Sequence, residues 1–138
     1  MTAKEYLGQA YRLDHRINSK LEQVESLNTL ATRVNSTISE MPRNPNRATS
    51  IMADAIEKII DLQAEINSDI DQLVDLKREI VSVIKTVENT EFQTLLEKRY
   101  LCFLSWEQIA VDLNYSIDNI FKAHKKALSC VNIPQTLQ

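Results

Sequence analysis

The sequence predicts an all-α fold: a long antiparallel helical hairpin, coiled-coil-like, followed by a C-terminal three-helix unit. Three observations carry this. The 138-residue chain has one glycine, Gly8, and three prolines, too few for many turns. Two long stretches repeat apolar residues every three or four positions, the spacing of one helix face. The last third reads instead as short helices separated by capping residues.

The first long stretch runs from Ala3 to about Met41. Tyr6, Ala10, Leu13, Ile17, Leu21, Val24, Leu27, Ala31, Val34, Ile38 and Met41 fall on one stripe, which predicts a single helix with a cap near Thr2. The segment 41–50, MPRNPNRATS, breaks the pattern. Pro42 and Pro45 lack backbone donors and restrict the residues before them, so the hairpin turns here, and Thr49 or Ser50 is placed to cap the second long helix. From Met52 the steps alternate four and three through Ile56, Ile59, Gln63, Ile66, Ile70, Leu73, Lys77, Ile80, Ile84 and Val87. That is a heptad seam, interrupted by two polar residues that tend to fix register. Ile60, Leu62, Val74, Leu76, Val81 and Val83 widen the apolar surface beyond one stripe, which predicts a homodimer or another partner chain.

The predicted domains are therefore 1–88, the stem with its turn near 41–50, and 89–138. In the second, Asn89 and Thr90 open a helix carrying Phe92, Leu95, Leu96 and Tyr100. Ser105 caps the next, with Gln108 at capping-box spacing, and Ile109, Ala110 and Leu113 form its inner face. Asn114 stands where a left-handed C-cap belongs, because asparagine tolerates that conformation better than most residues. Ser116 caps the last helix, whose Ile120, Ala123, Ala127 and Leu128 face inward.

The composition excludes several classes. With 43% hydrophobic residues the chain can pack a core. No apolar run forms a signal peptide or a transmembrane span, so a cytoplasmic protein is expected. The net charge of -3 is unevenly spread: residues 1–97 carry 11 Lys/Arg and 16 Asp/Glu, and residues 98–138 carry 5 and 3. A mildly basic end on an acidic stem fits a separate DNA-reading end. Cys102 and Cys130 have no CxxC spacing and read as buried small hydrophobes in a reducing compartment. His15 and His124 have no companions at ligand spacing, so no metal site is expected. His124 is expected to pack or lie at the surface, and Trp106 to plug the core. Gly8 alone makes no phosphate-binding loop. The acidic residues Asp54, Glu57, Asp61, Asp69 and Asp71 fit a solvated helix face. No catalytic or cofactor-binding constellation is present, and no enzyme is expected.

Glu107, Ile109, Ala110, Leu113, Ser116, Ile120 and the terminal Ala127-Leu128 resemble the helix-turn-helix of region 4 in sigma-70-type transcription initiation factors. Arg99-Tyr100 upstream also fits. With the long hairpin in front, the chain resembles the small phage- and prophage-encoded sigma-70 region 4-like regulators. The specific resemblance covers roughly residues 92–130. It implies a transcription regulator whose last helix enters the major groove of double-stranded DNA. Asn119 and Lys122 would lie near base edges and Lys125 and Lys126 near phosphates, with Ser116 and Asp118 also among the DNA-binding residues. RNA polymerase is a further implied partner; no membrane is.

Two departures bear on function. The family turn usually carries glycine where Asn114 stands. Promoter-reading members carry arginines around the positions of Ile117, Asn119 and Phe121, all uncharged here. These departures, with the acidic net charge, favour a rival reading: a protein-interaction module whose helix-turn-helix does not read DNA.

Overall fold

The computed structural model is helical, with the elements α1 (Ala3–Leu7), α2 (Gln9–Glu40), α3 (Pro45–Lys85), α4 (Thr90–Tyr100), α5 (Trp106–Leu113) and α6 (Ile117–Ser129). It describes residues 1–40 and 45–134, excluding the side chains of residues 34–40, 45, 46 and 48. No strand occurs among the described residues. Residues 41–44 of the turn expected at 41–50, with Pro42 and Met41, and the side chains of the stripe positions Val34 and Ile38 lie outside this description.

Two boundaries differ from the expectation. The first helix is interrupted at Gly8, whose φ of -74° and ψ of -6° end α1. Its N–H still bonds the Lys4 carbonyl, and the Gly8 carbonyl accepts from Arg12. A Cβ here would stand 3.1 Å from the Lys4 carbonyl oxygen, a close approach. Thr2 caps this start in a reciprocal box with Glu5. The second long helix begins at Pro45, so Thr49 and Ser50 lie inside it and do not cap it. Proline suits the first helical position, where its missing N–H would be unbonded in any case.

The chain divides into two compact units, residues 15–72 and residues 1–14 with 73–138. In the first, α2 and α3 form a two-helix pair in which Ile17, Ala55 and Ile66 are buried. Lys20 Nζ reaches Asp69 Oδ2 at 2.6 Å across the pair. The seam is only partly enclosed: Ile56 and Ile70 are about half exposed, as is Leu21 of α2, and Ile60, beside the seam, is 59% exposed.

The second unit holds the main core. Tyr6 and Leu7 of α1, Ala10 of α2, and Ile80, Val83 and Ile84 of α3 pack with Val87. The same cluster takes Leu95, Leu96 and Tyr100 from α4, Ile109 and Ala110 from α5, and Ile120 and Ala127 from α6. The predicted boundary at 88/89 follows chain order; the core instead recruits the N-terminal turns and the end of α3. Gln93 closes the α3 end, its Nε2 donating to the Lys85 and Val87 carbonyls that the last turn leaves unpaired.

Local chemistry places α4, α5 and α6. Asn89 caps α4, its Oδ1 accepting from Glu91 and Phe92. Ser105 caps α5 by accepting from the Gln108 N–H. The Gln108 side chain does not complete the box but donates to Asp112 Oδ1 at 2.8 Å. Asn114 ends α5 at φ 59°, ψ 41°, the left-handed cap expected of it. Two residues later, Ser116 caps α6. The α4–α5 turn contains a second left-handed residue, Phe103 at φ 59°. A bulky residue there is strained, and its ring is held by Lys77 Nζ at 4.7 Å and by an edge contact with Tyr11. Both cysteines are exposed, contrary to the expectation of burial: Cys102 lies in this turn and Cys130 at the α6 C-cap.

Candidate nucleic-acid interface

Helix α6 has two distinct faces. Ile120, His124 and Ala127 are buried against the unit's core. Asp118, Asn119, Lys122, Lys125 and Lys126 are all exposed, as is the cap residue Ser116. Asp118, Lys122 and Lys125 follow one another at steps of four and three, one stripe on the helix surface. Lys126 and Asn119 border it. The six residues singled out from the sequence are thus brought to one side of α6, with Ser116 at its N-terminal end. Ser116 Oγ is committed locally, accepting from the Asn119 N–H at 3.2 Å. Among the described residues, Lys122, Lys125 and Lys126 form no ion pair.

The turn before α6 is fixed by backbone bonds. The Asn114 N–H bonds Val111 O and the Tyr115 N–H bonds Ala110 O, satisfying carbonyls at the end of α5. The Tyr115 hydroxyl is bonded to the Glu91 carboxylate in α4. Lys98 of α4 meets Asp112 of α5 at 3.3 Å. The bond from Gln108, together with this one from Lys98, holds the Asp112 carboxyl below the usual carboxylate range.

Beneath α6 lies an aromatic cluster. The Tyr100 hydroxyl and His124 Nε2 are 2.6 Å apart. Burial is the main cause of lowering the His124 pKa to about 4, aided by the Lys4 and Arg99 cations. Burial likewise raises Tyr100 to about 12, opposed by Arg99. Near neutral pH the imidazole is therefore neutral and the phenol protonated, and the two share a hydrogen bond between uncharged groups. The Trp106 ring sits 4.4 Å from His124 and edge-on to Phe121. Arg99 covers the indole at 4.5 Å and donates from Nη1 to the Leu104 carbonyl. His124 therefore packs, as expected, whereas Trp106 is only half-buried and lines a cleft.

The sequence did not point to that cleft. Tyr11 and Arg12 lie off the first helix's apolar stripe, and they line the cleft together with Arg99, Trp106 and Phe121. No local signal joins residues some ninety positions apart. The exposed Val111, Ile117 and Phe121 were also not singled out as site residues.

No group of His, Cys, Asp and Glu among the described residues is placed to hold a metal ion. No helix there is long and apolar enough to cross a membrane. A family model described as "Protein of unknown function (DUF1492)" matches residues 48–132, more than half of the chain. No curated protein and no solved structure matches.

Proposed function

The chain belongs to the DUF1492 family, and we propose that it is a DNA-binding transcriptional regulator of sigma-70 region 4 type, acting on phage or prophage genes. One observation supports this above the others: α6 is held by a serine cap and a left-handed asparagine turn while its three lysines face outward together. A helix so presented fits the major groove, with Asn119 and Lys122 toward base edges and Lys125 and Lys126 toward phosphates. As a regulator it carries out no reaction.

The test is selection of bound fragments from random and genomic DNA by the purified protein, followed by gel shifts across a salt series. An enriched motif whose affinity falls with salt supports the reading. No enrichment at low salt overturns it.

A second reading has its own observation. Val111 is 71% exposed on α5, and Ile117 and Phe121 are exposed on α6. Ile117 and Phe121 are apolar where related promoter readers carry arginines, and with Val111 they suit a protein surface, with RNA polymerase as the partner. Retention of this chain on purified polymerase without DNA, lost on Val111→Asp, supports that alternative. In either reading we propose that the helical pair dimerises, since Leu21, Leu30, Ile56, Ile60 and Ile70 offer an uncovered aliphatic surface. Sedimentation at tens of micromolar showing monomer alone excludes the dimer.

A further inference from the structure

The cleft beside α6 has a chemistry that the DNA-reading face does not use. It has a volume of about 400 Å³ and lies within the unit of residues 1–14 and 73–138. That size falls in the range of small-molecule sites, roughly 300–1,000 Å³. Its walls combine three cations, Lys4, Arg12 and Arg99, with the rings of Tyr11, Trp106 and Phe121. Glu5 also lines it, but the Glu5 carboxylate accepts from the Thr2 N–H at 3.2 Å as part of the α1 capping box. The carboxylate is thereby tied to the helix start and does not pair with either arginine.

The two guanidiniums are held in place before anything binds. Arg99 lies over the indole and donates to Leu104, while Arg12 Nη2 donates to the Glu5 carbonyl at 3.2 Å. Each guanidinium carries five donors in a planar fork suited to carboxylate or phosphate oxygens. Tyr11 and Phe121 are 47% and 46% exposed, so their rings offer apolar surface to a planar partner. Held cations next to exposed rings match one ligand shape: a flat aromatic body carrying an anionic group.

We propose that this cleft binds a small aromatic anion, its carboxylate or phosphate held by Arg12 and Arg99 and its ring set against Tyr11 and Phe121. The occupant touches α6 through Phe121, one turn before Lys125, and so adds negative charge beside the lysine face.

Trp106 is the chain's single tryptophan and stands in the cleft wall, so its indole N–H resonance reports occupancy in the full-length protein without DNA. Benzoate, adenosine 5′-monophosphate and the neutral control benzyl alcohol are titrated in turn. Benzoate or the nucleotide should shift the resonance saturably, with a Kd of about 1 mM or tighter, and benzyl alcohol should bind at least tenfold more weakly. Which anion binds tighter distinguishes a carboxylate site from a phosphate site. Arg12→Gln, an exposed change that leaves the fold intact, should weaken binding about tenfold, and Phe121→Ala comparably. The proposal is overturned if no anion gives a saturable shift, if the alcohol binds equally well, or if Arg12→Gln leaves affinity unchanged. Gel shifts on the same variants are read separately, so loss of the cleft and loss of DNA reading are told apart.

Discussion

The two compact units cover their isoleucines to different extents. Ile80, Ile84, Ile109 and Ile120 are fully buried in the unit of residues 1–14 and 73–138, with Ile117 on α6 exposed; in residues 15–72 Ile17 and Ile66 are buried, but Ile56, Ile60 and Ile70 remain 42–59% exposed. Chemistry and helical spacing are alike, so the difference is in the number of neighbours. A helix in a pair covers one stripe, and anything beyond it stays in water. Several helices packed around one cluster cover each other's flanks. The unit built on the C-terminal helices is therefore expected to carry most of the folding stability, and the helical pair to hold surface that acts only when something covers it.

The largest effect should come from the denser core. Leu96→Ala removes a fully buried side chain and should cost about 2–5 kcal/mol in urea unfolding. A loss below about 1 kcal/mol would mean the cluster is loosely packed and the contrast between units is smaller than it looks.

Next is the lysine face that this core supports. Changing Lys122, Lys125 and Lys126 together to alanine should weaken binding and lower the slope of log affinity against log salt by about two, roughly one for each phosphate contact of Lys125 and Lys126. Stability should barely change, because all three are exposed. Unchanged DNA affinity would detach the lysines from function.

His124 gives the same core a pH dependence. Its folded pKa of about 4 lies below its ordinary 6.5, so between these values the unfolded chain takes up the proton first. Stability is fully present above about pH 6.5, falls as pH drops toward 4, and levels off below that. Each factor of ten in protonation is worth about 1.4 kcal/mol, and solvent screening leaves a loss on the order of 1–2 kcal/mol. His124→Gln should flatten this part of the stability profile measured by urea unfolding at successive pH values.

Asn114→Gly should raise stability by about 0.5–1 kcal/mol, because glycine adopts φ 59° without the Cβ penalty. A shifted thermal midpoint reads this out, and a decrease would mean that the asparagine side chain contributes more than its tolerance of the turn.

The smallest effect is expected in the helical pair. Ile60→Ala, at a residue 59% exposed, should change stability by less than about 0.5 kcal/mol in dilute protein. A larger loss that grows with protein concentration would show a second chain covering this face, and the contrast between the units would then hold only for the monomer.

Much of this architecture was legible because its causes are local. The caps at Thr2, Asn89, Ser105 and Ser116 each depend on an oxygen within three residues of the N–H it accepts from. Asn114 is likewise a property of one residue's φ and ψ. The stripes through Ile17 and Ile66, and through Ile80 and Ile84, follow from helical periodicity. Where one local rule competed with another, the outcome shifted: Pro45 took the first helical position ahead of Thr49 and Ser50, and Gly8 divided the first helix. Phe103 gave no sign of its left-handed turn, since its strain is offset by Lys77 and Tyr11 from distant parts of the chain.

The sequence by itself determined the all-α class, the helix starts that side chains cap, the left-handed turn before α6, and which residues of α6 face outward. Each is set by bonds within a turn or by a period of 3.6 residues. Only the tertiary structure decided that the N-terminal turns join the C-terminal core, that Cys102 and Cys130 stay exposed, that His124 is buried beside Tyr100, and that Arg12 and Arg99 line one cleft. Those outcomes depend on which faces meet across ninety residues of chain, and periodicity marks a face as apolar without naming what covers it.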